Sequence, residues 1–109
     1  MKVKDLAEKL GLKVLAGEIG LDKEAQGGYT GDLLSWVMSH ASKGDAWITV
    51  QIHPNIIAVA VLLELSCIII PENIGVEQLT IDKANAESIP LLQSSDHAFE
   101  LCAKIKSII

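Results

Sequence analysis

The sequence predicts a three-layer α/β/α sandwich built on a mostly parallel sheet of four to five strands. Three observations lead there. Short runs such as residues 46–51 and 66–70 are apolar at successive positions, as strands buried on both faces are. Segments with helical character alternate with these runs, the pattern of βαβ units. Half of the 109 residues are hydrophobic but only 4% are aromatic, so the core is built from Ile, Leu, Val and Ala.

Each element has a local reason. Val3, Leu6, Ala7 and Leu10 share one face of an opening helix, and Gly11 suits its stop. That helix resembles the first of a helix-turn-helix, yet residues 13–17 read as a strand where a recognition helix should follow. Residues 25–30 are short and extended, bounded by Gly27-Gly28 and Gly31. A helix then runs to about residue 42, with Asp32 as its N-cap. Gly44-Asp45 form a turn before the strand at 46–51. Pro54 suits the first turn of a helix over 55–65. A strand at 66–70, a loop at 71–75, a helix over 76–87 and a strand at 89–93 continue the alternation. Ser94, Ser95 and Asp96 cap a closing helix whose apolar face holds Ala98, Leu101, Cys102 and Ile105. The length suits one domain over residues 1–109.

Composition excludes several functions. The formal net charge is −5, and all nine basic residues are lysine. Without arginine, and with an acidic balance, the chain is a poor match for nucleic acid, whose affinity rests on phosphate neutralisation. No secretory h-region opens the chain, and the most apolar stretch, 56–70, is shorter than a membrane span of ~20 residues and carries Glu64. A cytoplasmic protein with two buried thiols, Cys67 and Cys102, is the expectation. His40, His53 and His97 lack ligand spacing, so no metal is expected. No phosphate-binding loop of the Gly-x-x-x-x-Gly-Lys-[Ser/Thr] type occurs, and no catalytic residue or cofactor is assigned.

In parallel sheets, ligands bind beyond the carboxyl ends of the strands, near a switch in strand order. The strand-to-helix junctions there supply the candidate ligand residues. They are Thr30, Gly31 and Asp32 at one junction, Gln51, His53 and Asn55 at the next, Asn73 at the third, and Ser94 and Ser95 at the last. For each, helix capping is the competing explanation. Trp36 and Met38 sit on a helix with more apolar positions than one buried face needs, which predicts a homodimer surface.

Several segments together resemble the DRTGG domain family, in its short stand-alone form. They begin Val3-Lys4-Asp5-Leu6-Ala7 and continue with Gly27-Gly28-Tyr29-Thr30-Gly31-Asp32-Leu33-Leu34-Ser35-Trp36-Val37-Met38. Gly44-Asp45-Ala46-Trp47-Ile48-Thr49, His53-Pro54-Asn55-Ile56-Ile57-Ala58-Val59-Ala60 and Ile89-Pro90-Leu91-Leu92 follow in order. The family is similar to the amino-terminal domain of HPr kinase. The resemblance implies a regulatory or sensory α/β domain, usually homodimeric, found alone or beside CBS modules that bind adenine nucleotides. It implies a small-molecule or nucleotide ligand, or alternatively a scaffold for redox or hydrogenase-associated proteins. The chain departs from the family in lacking arginine. It has Pro71-Glu72-Asn73 where relatives commonly carry Thr-Gly-Gly, and Glu72 would repel a phosphate placed there.

Overall fold

Strands apolar on both faces must be covered on both faces, and the computed structural model, which describes residues 1–109, covers them with five helices. The elements are α1 (Val3–Leu10), β1 (Lys13–Ala16), a 3-10 helix (Glu18–Asp22), β2 (Gly27–Thr30), α2 (Leu34–His40), β3 (Asp45–Ile48), α3 (Asn55–Leu63), β4 (Cys67–Ile70), α4 (Gln78–Glu87), β5 (Leu91–Gln93) and α5 (Ala98–Ile108). The sheet order is β1-β5-β4-β3-β2. Strands β2 to β5 run parallel, and β1 joins β5 antiparallel at one edge. This is the predicted three-layer sandwich. No helix is long and apolar enough to cross a membrane.

The pleat divides the core in two. Trp47, Ile68, Ile70 and Leu91 face α2, α3 and α4, where Val37, Ile56, Ile57, Ala60 and Ala84 meet them. Ala46, Ile48, Cys67, Ile69 and Leu92 face α1 and α5, packing against Val3, Leu6, Leu101 and Ile105. Each fully buried Leu or Ile contributes about 1.5–3 kcal/mol. Because β2, β3, β4 and β5 step across the sheet in order, right-handed crossovers put α2, α3 and α4 on one face. Only α5, after β5, returns to the other.

Element ends differ from the sequence expectation. Asp32 is not the N-cap of α2. That position is Leu33, without a side-chain bond, and the helix starts at Leu34. The closing helix is capped not by Ser94, Ser95 or Asp96 but by His97, whose ring nitrogen accepts from Glu100 N at 3.4 Å. Strand β3 stops at Ile48 because Thr49 and Val50 turn to bond Asp32. The 3-10 helix was not foreseen. It follows Gly17, which has φ 74° and lies against the segment leading into β5 so closely that a Cβ would come within 1.9 Å of Ile89 O. Only glycine fits there.

The outer surface of α1 and α5 differs from that of α2 and α3. Exposed Lys4, Asp5, Glu8, Lys9, Glu100, Lys104 and Lys106 cover α1 and α5. Neither α2 nor α3 contains an acid or a lysine, and Leu33, Trp36, Met38, Val61 and Leu62 are exposed on or beside them.

Candidate functional site

Parallel register brings the four strand ends to one rim. Thr30 is level with Ile48, Ile48 with Ile69, and Ile70 with Gln93. The junctions that follow therefore gather there, and they are joined in two pairs.

The first pair follows β2 and β3. Asp32 Oδ1 accepts from Thr49 Oγ1 at 2.8 Å and from Val50 N at 2.9 Å. Gln51 Nε2 donates to Asp32 O at 2.9 Å, and Gln51 N donates to Thr49 Oγ1. The carboxylate thus ends β3 rather than starting α2. A strand that stops beside an acid offers it an unpaired N–H and a buried hydroxyl, which the free N–H groups of α2, turned toward water, do not match. Thr80, fully buried on α4, anchors the same junction by donating to Ile52 O at 2.6 Å. His53 Nδ1 accepts from Asn55 N at 3.3 Å, a local capping contact.

The second pair follows β4 and β5. Here α4 leaves to one face of the sheet and α5 to the other. Such a divergence normally opens a crevice for a ligand, but backbone bonds draw this one shut. Ser94 N donates to Ile70 O, Asn73 N to Ser94 O, and Glu72 N to Asp96 O, each at 2.8 Å. Glu72 and Asn73 hold positive φ, 59° and 52°, to aim those N–H groups. Gln93 Nε2 donates to Ile74 O at 3.0 Å, and Ser94 Oγ accepts from Asp96 N. Asp96 also pairs with Lys104 at 2.7 Å, which holds that ammonium charged above its usual range.

Every buried side-chain nitrogen and oxygen has a partner. Asp32, Gln51 and Ser94 are engaged in holding the rim together. Thr30, His53, Asn55, Asn73 and Ser95 are at least partly exposed on it, while Gly31 serves as backbone, its carbonyl accepting from Trp47 Nε1 at 2.9 Å. No shared cavity draws these nine positions together.

One groove lies beside the rim. It holds about 310 Å³ between β2 and α5, lined by Gln26, Thr30, Ile48, Cys102, Ile105 and Lys106 with the backbone of Gly27 and Gly28. Gly28 faces α5 and leaves that sheet face bare, so α5 packs over a gap; Ile105 Cγ2 is 3.9 Å from where a Gly28 Cβ would sit. Sequence reasoning found Thr30 of this set and missed Gln26, Cys102 and Lys106. The signal was Gly27-Gly28, read as a boundary rather than as missing side chains. A second cavity, of about 410 Å³, lies at the opposite end of the strands among Lys23, Lys43, Glu24, Glu64 and Glu87. Of the two free thiols, Cys67 is buried, and burial pushes it up to about 12. It remains a protonated core side chain.

The fold is a three-layer α/β/α sandwich on a mostly parallel sheet. No family model and no curated protein matches the chain. Among solved structures it is similar to the CBS and DRTGG domains of the regulatory region of a Clostridium perfringens pyrophosphatase, complexed with the activator diadenosine tetraphosphate. The two are 15% identical with a TM-score of 0.70, over 95% of this chain and 45% of that one. This chain therefore spans less than half the length of its neighbour, and the likeness establishes the fold.

Proposed function

We propose that this chain is a non-catalytic regulatory module, one domain over residues 1–109, that works as a cytoplasmic homodimer and senses a small anionic ligand, an adenine nucleotide foremost. The observation that carries this reading is its fold likeness to a regulatory region solved with an adenine-nucleotide activator. The groove between β2 and α5 is the favoured ligand site. It offers an apolar wall of Ile48 and Ile105, a space left open by the missing side chain of Gly28, and polar groups on Thr30, Gln26 and Lys106. One lysine and no arginine make for weak phosphate affinity. Trp36 and Met38, exposed on the charge-free outer face of α2, are the candidates for the surface on which copies associate.

The test is thermal melting and calorimetric titration of the full chain with AMP, ATP and diadenosine tetraphosphate. The expected result is a rise in Tm that saturates with ligand, about 2.7 kcal/mol of stabilisation at a hundredfold excess over Kd. Lys106→Gln weakens it. Absence of any response to all three removes the nucleotide reading. A scaffold without small ligand is then the better account, and the exposed Leu33, Trp36, Met38 and Leu62 favour it.

A further inference from the structure

Strand β2 lies at one edge of the sheet and is paired on one side only. Gly31 N points at β3, where it donates to Ile48 O at 3.2 Å. Backbone groups alternate sides along a strand. Tyr29 N–H therefore points inward as well, and the N–H and C=O groups of Gly28 and Thr30 point away from the sheet. Such a row is a template for another strand, and proteins blunt it with charge, proline or a bulge. The opposite edge is blunted: β1 carries Lys13 and a register shift between Val14 and Ala16. The β2 edge is not. Residues 25–31 have neither charge nor proline, the pairing with β3 is regular over residues 27–30, and Gly27-Gly28 leave nothing to hold a second backbone away.

The flank above this edge matches it. Right-handed crossovers place α2 over the β2 side of the sheet. With Val37 pointing inward and about 100° per residue, Leu33, Trp36 and His40 lie on the side of α2 away from α3. The Trp36 ring stacks on His40 with centroids 4.0 Å apart and remains 57% exposed.

We propose that a second copy of this chain docks here, its β2 antiparallel to the first across a two-fold axis, merging the two sheets into one. The register is self-complementary. Tyr29 faces the partner's Tyr29 at the axis, and Gly28 lies opposite the partner's Thr30, the pair exchanging both backbone bonds. A like copy is the occupant the charges select. Two molecules of net charge −5 repel over most of their surfaces, but this strip carries no charge to repel. The merged edge also walls the open side of the groove between β2 and α5. This inference rests on the homodimer reading and fixes its geometry; it keeps Trp36 at the interface and leaves Met38, on the α3 side of α2, outside it.

Sedimentation velocity and amide hydrogen exchange of the full chain, from micromolar to millimolar concentration, test it. The expected result is association, with exchange at Gly28 and Thr30 slowed roughly tenfold or more as dimer forms, while Tyr29 and Gly31 stay protected throughout. Thr30→Pro removes an N–H that the isolated sheet does not use. It keeps the helical circular dichroism and loses association; Gly28→Lys does the same should the proline unfold the chain. A dimer that survives both variants with fast exchange at Gly28 overturns the edge pairing and leaves dimerisation through the helical face. A monomer at every concentration overturns both.

Discussion

The two halves of the rim reach the same end by different means. The β2 and β3 junctions are joined by a side chain, with Asp32 bonding the hydroxyl of Thr49 and the backbone of Val50. The β4 and β5 junctions are joined mainly by backbone, through Glu72, Asn73 and Ser94. A side-chain joint can be cut by one substitution. A backbone joint survives most substitutions and yields only to changes in φ or loop length. The first half is therefore where mutation can alter the rim, and the second is where it is fixed.

The largest expected effect follows from cutting the first joint. Asp32→Ala strands the buried Thr49 hydroxyl, gives up the exposed bond to the Val50 amide, and costs about 2–3 kcal/mol, measured by chemical denaturation. Asp32→Asn keeps an acceptor and costs less than half of that. A loss for Asp32→Ala no greater than that of a random surface site would erase the distinction between the halves. Next, Thr80→Val leaves Ile52 O unpaired and costs about 1–2 kcal/mol. In the second half, Gln93→Ala removes only the side-chain bond to Ile74 O and costs about 1 kcal/mol, because the backbone bonds persist. Glu72→Gly relieves a left-handed residue and is neutral or stabilising by up to about 1 kcal/mol. A clear destabilisation there would mean the Glu72 side chain matters to the joint.

The smallest effect is that of Lys104→Met. Its exposed pair with Asp96 leaves Tm unchanged within error near neutral pH. The sign of its pH dependence is fixed. Asp96 raises the Lys104 pKa from 10.5, so whatever stability the pair contributes is present below that value and fades as pH rises past it. Acidification through the neutral range leaves the lysine charged. A melting series from pH 9 to 12 on both proteins reads this, with Cys67→Ala in the background. Burial holds the Cys67 thiol up to about 12 against an ordinary 9.0. That thiol therefore destabilises the fold as pH climbs from 9 toward 12 and would mask a weaker effect.

Much of this architecture was legible in the chain because it follows from pattern. Ile68-Ile69-Ile70 is apolar on both faces and must be a covered strand; Val3, Leu6 and Ala7 repeat at helical spacing and must face the sheet. The individual junctions were not legible. Asp32 stands where an N-cap belongs, and nothing local says that Thr49, seventeen positions on, outcompetes the α2 amides. His97 is a weak cap by type, preceded by three better ones, yet Asp96 is held by Lys104 and the Ser94 amide by Ile70 O. Lys106 and Cys102 had no signal linking them to Gly27-Gly28.

Periodicity and composition by themselves determined the class of fold, the aliphatic core and the uncharged character of α2 and α3, since burial and spacing are properties of neighbouring residues. Tertiary structure alone decided that β1 closes the sheet antiparallel, that the crevice between β4 and β5 is sealed, and that the open edge and the groove lie at β2. Those outcomes depend on which distant donors and acceptors meet when the strands take their order, and no local stretch of chain carries that information.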